Sequence, residues 1–340
     1  VTLPSYEFLS APLWLVTVLH VVTLTLHLAA MGTLFGGIAA LLLTRGSAGW
    51  DREAVARYVR ATPTLMALTV TLGVAPLLFL QLVYHRQVYA AAIVSAWPWL
   101  GVVAAVIIAY SLLYSVALSR RGPTVAGRRL VGALLCLLFV SLVFSSVFTL
   151  AERPATIAAA WSADASGFVL DPEIGRWLPR WLHMLAGALA LGSFALAVFV
   201  RADDELFGRA RTSYLWSQVF AIALGVGALV GLGDDLTPYM RSSAVWWMLA
   251  AVLLTAGSLH FIYRRRLLPA GAMLSASLVA MVVHRHVARL VVLRASLDPG
   301  AMAIRPQWSV FALFLVCFVA MLAVVAWMLR LFFAGRPQAG

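Results

Sequence analysis

Clusters of Arg, Pro and Gly divide this chain into about nine apolar runs, each near the roughly 20 residues that an α-helix needs to cross a hydrocarbon core. They fall at about 12 to 43, 63 to 85, 97 to 119, 128 to 150, 177 to 200, 212 to 232, 243 to 263, 268 to 293 and 307 to 333. Backbone N–H and C=O groups find no partners in lipid, so such runs must close their hydrogen bonds internally, as helices. The expected fold is therefore all-α, a polytopic transmembrane helix bundle of about nine spans that forms a single domain over residues 1–340. At 63% hydrophobic and 11% charged residues, the chain is too apolar for a soluble globular domain. The first run is longer than the core is thick and must tilt or project beyond it. Residues 45–62 read as an amphipathic segment at the membrane surface, and residues 151–176 as an external loop.

Every basic residue is an arginine, and the formal charge is +12. A charge of that size could suggest nucleic acid, but the arginines sit in short loops between apolar runs, where they orient helices. Nucleic acid is accordingly excluded as a partner. The loops after the first, third, fifth and seventh runs carry Arg45, Arg52, Arg57, Arg60, Arg120, Arg121, Arg128, Arg129, Arg201, Arg209, Arg211 and Arg264 to Arg266, which makes them cytoplasmic. The opposite loops hold more of the interfacial tryptophans, among them Trp97, Trp99, Trp161, Trp177, Trp246 and Trp308. The N-terminus is then outside and the C-terminus cytoplasmic. The opening residues lack the basic start and cleavage site of a signal peptide, so the first run is expected to be retained. Cys136 and Cys317 have no sequence partner, and no Cys-x-x-Cys-His run exists to tether a haem covalently.

All seven histidines lie within or at the edge of an apolar run. An uncompensated imidazole is costly there, whereas a metal-bound one is not, so the placement points to haem ligands. With the topology above, His20, His85, His183, His284, His286 and Met248 converge on the outer leaflet, His27 lies nearer the midplane and His260 on the cytoplasmic side. His20 and His27 are seven residues apart, which puts them on one helix face roughly 10 Å apart. Arg285, His286 and Arg289 share a stripe, and buried guanidinium groups need anions, which haem propionates would supply. His286 is preferred over His284 as the inward ligand on that ground.

Each residue also has a simpler reading. A single intramembrane His can be an interhelical hydrogen-bonding residue. His260 and His85 read as interface residues, Met248 alone as core packing, and Asp234 and Asp235 as solvated loop residues. Gly32, Gly36 and Gly37 most simply allow close helix contact.

Several stretches resemble subunit I of the cytochrome bd quinol oxidases. The run LHLAAMGTLFGGIAALLL is similar to that family's opening helix, and His27 matches its ligand in the paired high-spin haem site. TLGVAPLLFLQLVY and WPWL are similar to the starts of the next two helices. WLHMLAGALALGSFALAVFV, followed by an Arg-bounded loop and GVGALVGLGD, resembles the fifth and sixth helices, with His183 on the low-spin haem's His. AVWWMLAAVLL resembles the helix that bears that haem's Met, and Met248 falls there. The chain departs from the pattern as well. Gln81 stands where the family has a Glu near haem d, and Val102 or a neighbour stands at the acidic position of the proton path. HVARL replaces Glu-x-Gly-Arg-Gln, so His286 takes the Glu ligand's place and Arg289 retains the Arg. The long quinol loop is reduced to DDLTPYMRSS.

The resemblance and the residues together imply a haem-binding membrane subunit that transfers electrons near the outer face of a respiratory complex, rather than a complete oxidase. Two or three non-covalent b haems are expected, with iron ligands His27, His183, Met248 and His286. His20, Arg285, Arg289 and Gln81 complete the cofactor-binding set. Quinol is a candidate substrate. Expected partners are other membrane subunits, a periplasmic c-type cytochrome or iron–sulfur subunit, and the lipid bilayer. The alternatives are a terminal bd-type oxygen reductase and a haem-free transporter or membrane scaffold.

Overall fold

The computed structural model describes residues 8–43, 53–118 and 123–334. In chain order its helices are α1 Leu13–Leu43, α2 Glu53–Val94, α3 Ala96–Ala117, α4 Pro123–Leu150, α5 Pro154–Ala163, α6 Ile174–Phe199, α7 Asp204–Val230, α8 Leu236–Met240, α9 Ala244–Tyr263, α10 Leu267–Leu293 and α11 Trp308–Ala334. Among the described residues, eight helices are long and apolar enough to cross a membrane: α1 to α4, α6, α7, α9 and α10. The last expected run is also helical as α11, with Trp308–Cys317 a shorter apolar stretch. Large apolar side chains such as Leu253 and Leu268 remain exposed on these helices, as lipid-facing residues would be.

The chain divides into two compact units. In the smaller, which joins residues 8–16 to residues from Pro299 onward, β1 (Phe8–Leu9) pairs in parallel with β2 (Ala303–Ile304). Arg305 there donates its backbone N–H to Leu9 O at 2.8 Å. The larger unit, Thr17–Asp298, carries every candidate residue.

Within the larger unit, α6 packs along α7, α9 along α10, and α3 along α4. Side-chain hydroxyls bridge these helices in places where lipid offers no competing partner. Ser193 meets Ser213 at 2.9 Å, Tyr214 meets Ser258 at 2.8 Å, and Thr255 meets Ser277 at 2.9 Å. Glycines let α1 and α6 touch backbone to backbone: a Cβ at Gly36 would strike Ala188 O, and one at Gly192 would strike Gly36 and Gly37. The close-contact reading of these glycines therefore holds. At this contact α1 contains a π-helical turn, Gly32–Gly36, whose Thr33 carbonyl accepts the Tyr58 hydroxyl at 2.5 Å.

Helix α2 differs from its expected 63 to 85. It begins at Glu53, so the later part of the expected surface segment 45–62 forms its first turns, while residues 44–52 lie outside the described residues. Pro63 does not end it. The proline removes the N–H that Val59 O would accept, and the buried Thr62 hydroxyl donates to that carbonyl instead, at 2.7 Å. Thr62→Val is expected to lower the unfolding free energy by about 1 kcal/mol. Unfolding in detergent checks this, with the exposed Thr212→Val as a neutral control, since Thr212 bonds Gly208 O in a helix free of proline. The end expected at residue 85 appears as a kink, with Tyr84 at φ −117° and ψ 31°.

Residues 151–176, expected as a loop, contain α5 and are tied to the bundle. The Asp171 carboxylate accepts from Arg153 and its backbone N–H donates to Ser146 Oγ at 2.8 Å, while Trp177 Nε1 donates to Asp171 O at 3.0 Å.

Candidate functional site

Four histidines make the same contact. Nδ1 of His20 meets Pro76 O at 3.1 Å, His27 meets Thr69 O at 2.9 Å, His183 meets Ala221 O at 2.7 Å and His284 meets Ala244 O at 3.1 Å. A carbonyl only accepts, so in the neutral ring Nδ1 carries the hydrogen and Nε2 carries the lone pair. Each imidazole is thus oriented by the backbone of a neighbouring helix. The antiparallel fit of α1 on α2 produces the first two bonds, because seven residues separate both the histidines and the carbonyls they meet. Two glycines make room one turn beyond the carbonyl: a Cβ at Gly73 would lie 2.9 Å from the His27 ring, and one at Gly225 3.2 Å from His183 Nδ1.

Two groups form around these rings. In the first, the Tyr239 hydroxyl on α8 lies 3.5 Å from both Met248 Sδ and His284 Nδ1, and His284 is within electrostatic range of His183. Burial pushes the Tyr239 hydroxyl up to about 12, so it keeps its proton and donates to the thioether. The expected pair His183 and Met248 therefore shares its surroundings with His284. The sequence reading sets His284 aside because it lies off the Arg285–Arg289 stripe.

In the second group, Glu152, two residues past the end of α4, accepts from Arg285 and lies 3.1 Å from Arg180 and 3.2 Å from Arg289. Arg289 also stands over the Tyr84 ring, 5.7 Å from its centroid. His20 lies within electrostatic range of Arg289 and His286. Burial alone would push the Glu152 carboxyl up, but the guanidiniums of Arg285, Arg180 and Arg289 outweigh it and hold the group down to about 2. Glu152 thus supplies one anion for Arg285 and Arg289 within the protein, where the sequence reading assigns that role to haem propionates. His286 Nδ1 is buried with no hydrogen-bond partner among the described residues, unlike the four carbonyl-bonded rings.

The remaining residues stand apart. His27 has its own carbonyl and glycine on α2. Gln81 is half-buried on α2, one turn before the kink. His260 is exposed, its ring edge-on to Phe261, and His85 is half-buried just past Tyr84. Glu152, Arg180, Tyr84 and Tyr239 are absent from the sequence-based set. The demand of Arg285 and Arg289 for a carboxylate was the available signal for Glu152, in a chain with only 13 acidic residues.

Among the described residues, no three His, Cys, Asp or Glu side chains converge into a cage for a bare metal ion. Oriented imidazoles taken one or two at a time suit a metal whose other positions are already filled. No protein-family model matches this chain, and no curated protein matches it.

Proposed function

We propose that the chain is a haem b-binding electron-transfer subunit of a bacterial respiratory complex, a divergent relative of cytochrome bd subunit I. The observation that carries this reading is the set of four intramembrane histidines whose Nδ1–H is donated to a backbone carbonyl. Metal-ligating histidines are commonly held in this way, since the bond fixes the tautomer and ring orientation and raises the basicity of the free nitrogen. The donor set fits iron porphyrin, which brings four equatorial nitrogens and asks the protein only for axial donors. Bound haem would carry single electrons between its ferric and ferrous states.

In the first group His183 would hold the haem iron, with Met248 or His284 as a second donor. His20 and His286 offer imidazoles to a second region, and His27, which stands apart from both groups, offers another. The arginine-rich loops favour a periplasmic position for most of these residues, so a periplasmic c-type cytochrome or iron–sulfur protein is the partner that fits. Substitution of Gln81 and Val102 for the family's acids favours electron transfer over oxygen reduction.

The test is the absorption spectrum of the full chain purified from haem-replete cells, with pyridine haemochrome stoichiometry. A Soret band is expected, and His183→Ala is expected to lower the haem content by about one equivalent while the helical circular dichroism is unchanged. A colourless parent protein, or a His183→Ala variant with the parent's spectrum and stoichiometry, overturns the reading and favours a haem-free transporter or scaffold.

A further inference from the structure

Two side chains stand ready as the second iron donor beside His183, and the contacts around Tyr239 separate them. His284 on α10 reaches across to α9, where its Nδ1 lies 3.1 Å from Ala244 O. Ala244 precedes Met248 by one helical turn, so this bond sets the imidazole beside the thioether. Both side chains are half-buried, and each has one atom suited to iron.

Proton accounting decides what each has left to offer. The Ala244 carbonyl only accepts, so His284 Nδ1 carries the hydrogen and Nε2 keeps its lone pair. The Tyr239 hydroxyl, 3.5 Å from both Nδ1 and Met248 Sδ, meets a donor on one side and an acceptor on the other. Its hydrogen therefore goes to the sulfur. Tyr239 is 1% exposed, which keeps water from competing for that bond. Its ring also stands edge-on to the His284 imidazole, with centroids 5.8 Å apart, a second contact that fixes the orientation of the imidazole. A thioether that shares its lone-pair density with a hydroxyl is a poorer metal donor, whereas an imidazole whose Nδ1–H is given to a carbonyl is a better one.

We propose that His284, and not Met248, is the second iron donor paired with His183, so that this haem is held by two imidazoles. The assignment rests on the haem reading above. His183 carries the same anchor, with Nδ1 2.7 Å from Ala221 O, and lies within electrostatic range of His284. The two Nε2 lone pairs thus come from rings that are each fixed by the backbone of a different helix, α7 and α9. Met248 is left as a packing residue whose sulfur is held by Tyr239. Two imidazoles also set a lower reduction potential than an imidazole and a thioether do.

The test takes the full chain purified from haem-replete cells and follows the haem equivalent that His183→Ala removes, by electron paramagnetic resonance and near-infrared magnetic circular dichroism. The near-infrared charge-transfer band separates two-imidazole ligation from imidazole and thioether ligation. The two-imidazole band is expected in the parent and, unchanged, in Met248→Leu, which conserves volume. His284→Ala is expected to lose about one equivalent of low-spin haem signal, and added imidazole to restore it. If His284→Ala fails to fold, Met248→Leu decides the matter. A thioether band in the haem-loaded parent, a Met248→Leu variant that turns high-spin, or a folded His284→Ala variant with the parent's spectrum overturns the assignment and leaves haem binding intact. A parent without haem overturns the haem reading and the assignment with it.

Discussion

Glu152→Gln is expected to destabilise the protein by about 3–5 kcal/mol, the range for removing one partner of a buried ion pair. The amide has nearly the shape of the carboxylate, so packing is preserved and the loss is electrostatic. Three guanidiniums that converge on one carboxylate would then face each other in a low-dielectric interior. The pH dependence has a definite sign. The folded-state value of about 2 lies below the ordinary 4.5, so the stabilisation is fully present above about 4.5 and is lost as pH falls through 2. Parent and variant should therefore differ by a constant amount between pH 5 and 8 and converge on acidification. Thermal unfolding in detergent from pH 8 down to about 2 measures both, and a variant that melts with the parent at pH 7 contradicts the role assigned to Glu152.

Gly192→Ala is expected to cost more than about 3 kcal/mol, well above the usual penalty for one added methyl group in a core. The added carbon meets main-chain atoms of Gly36 and Gly37, which cannot rotate away as a flexible side-chain end would. Gly187→Ala on the same helix meets nothing within 4 Å and should be neutral or stabilise by up to about 1 kcal/mol through helix propensity. Two alanines five residues apart thus have opposite expected outcomes. Expression level and unfolding of the pair separate a specific seam between α1 and α6 from a general intolerance of α6 to substitution.

The spans were legible because hydropathy reports lipid exposure directly. The expected 97 to 119, 243 to 263 and 268 to 293 lie within two residues of helices Ala96–Ala117, Ala244–Tyr263 and Leu267–Leu293. Helix α2 was harder to read, since Pro63 resembles a terminator and only the Thr62 hydroxyl shows why the helix continues. The grouping of His183 with Met248 near one end of the bundle was legible from position along each run. The grouping of His284 with them was not, because it depends on how α10 rotates against α8 and α9. The histidine anchors left almost no trace, because a carbonyl belongs to every residue type. Gly73 and Gly225 are the marks they did leave, and only the folded chain shows what the two have in common. Glu152 lies just past the end of α4, where an acid ordinarily faces water, and nothing local reveals that three arginines reach it.

The π-helical turn at Gly32–Gly36 has a consequence for how the chain can change. Regular winding advances about 100° per residue, and the wider turn absorbs one residue more than an α-turn would. The turn therefore takes up the extra residue locally, and the segments on either side keep their facing. The half before the turn aims its imidazoles at α2, and Gly32 and Gly36 in the turn itself lie on α6. Deleting one residue between His27 and Gly32, where no wide turn can absorb the change, would swing one part by about 100° against the other. Imidazoles and glycine seam could then no longer both face their partners, whereas loss of one residue within 32–36 would convert the turn to regular winding and leave both facings in place.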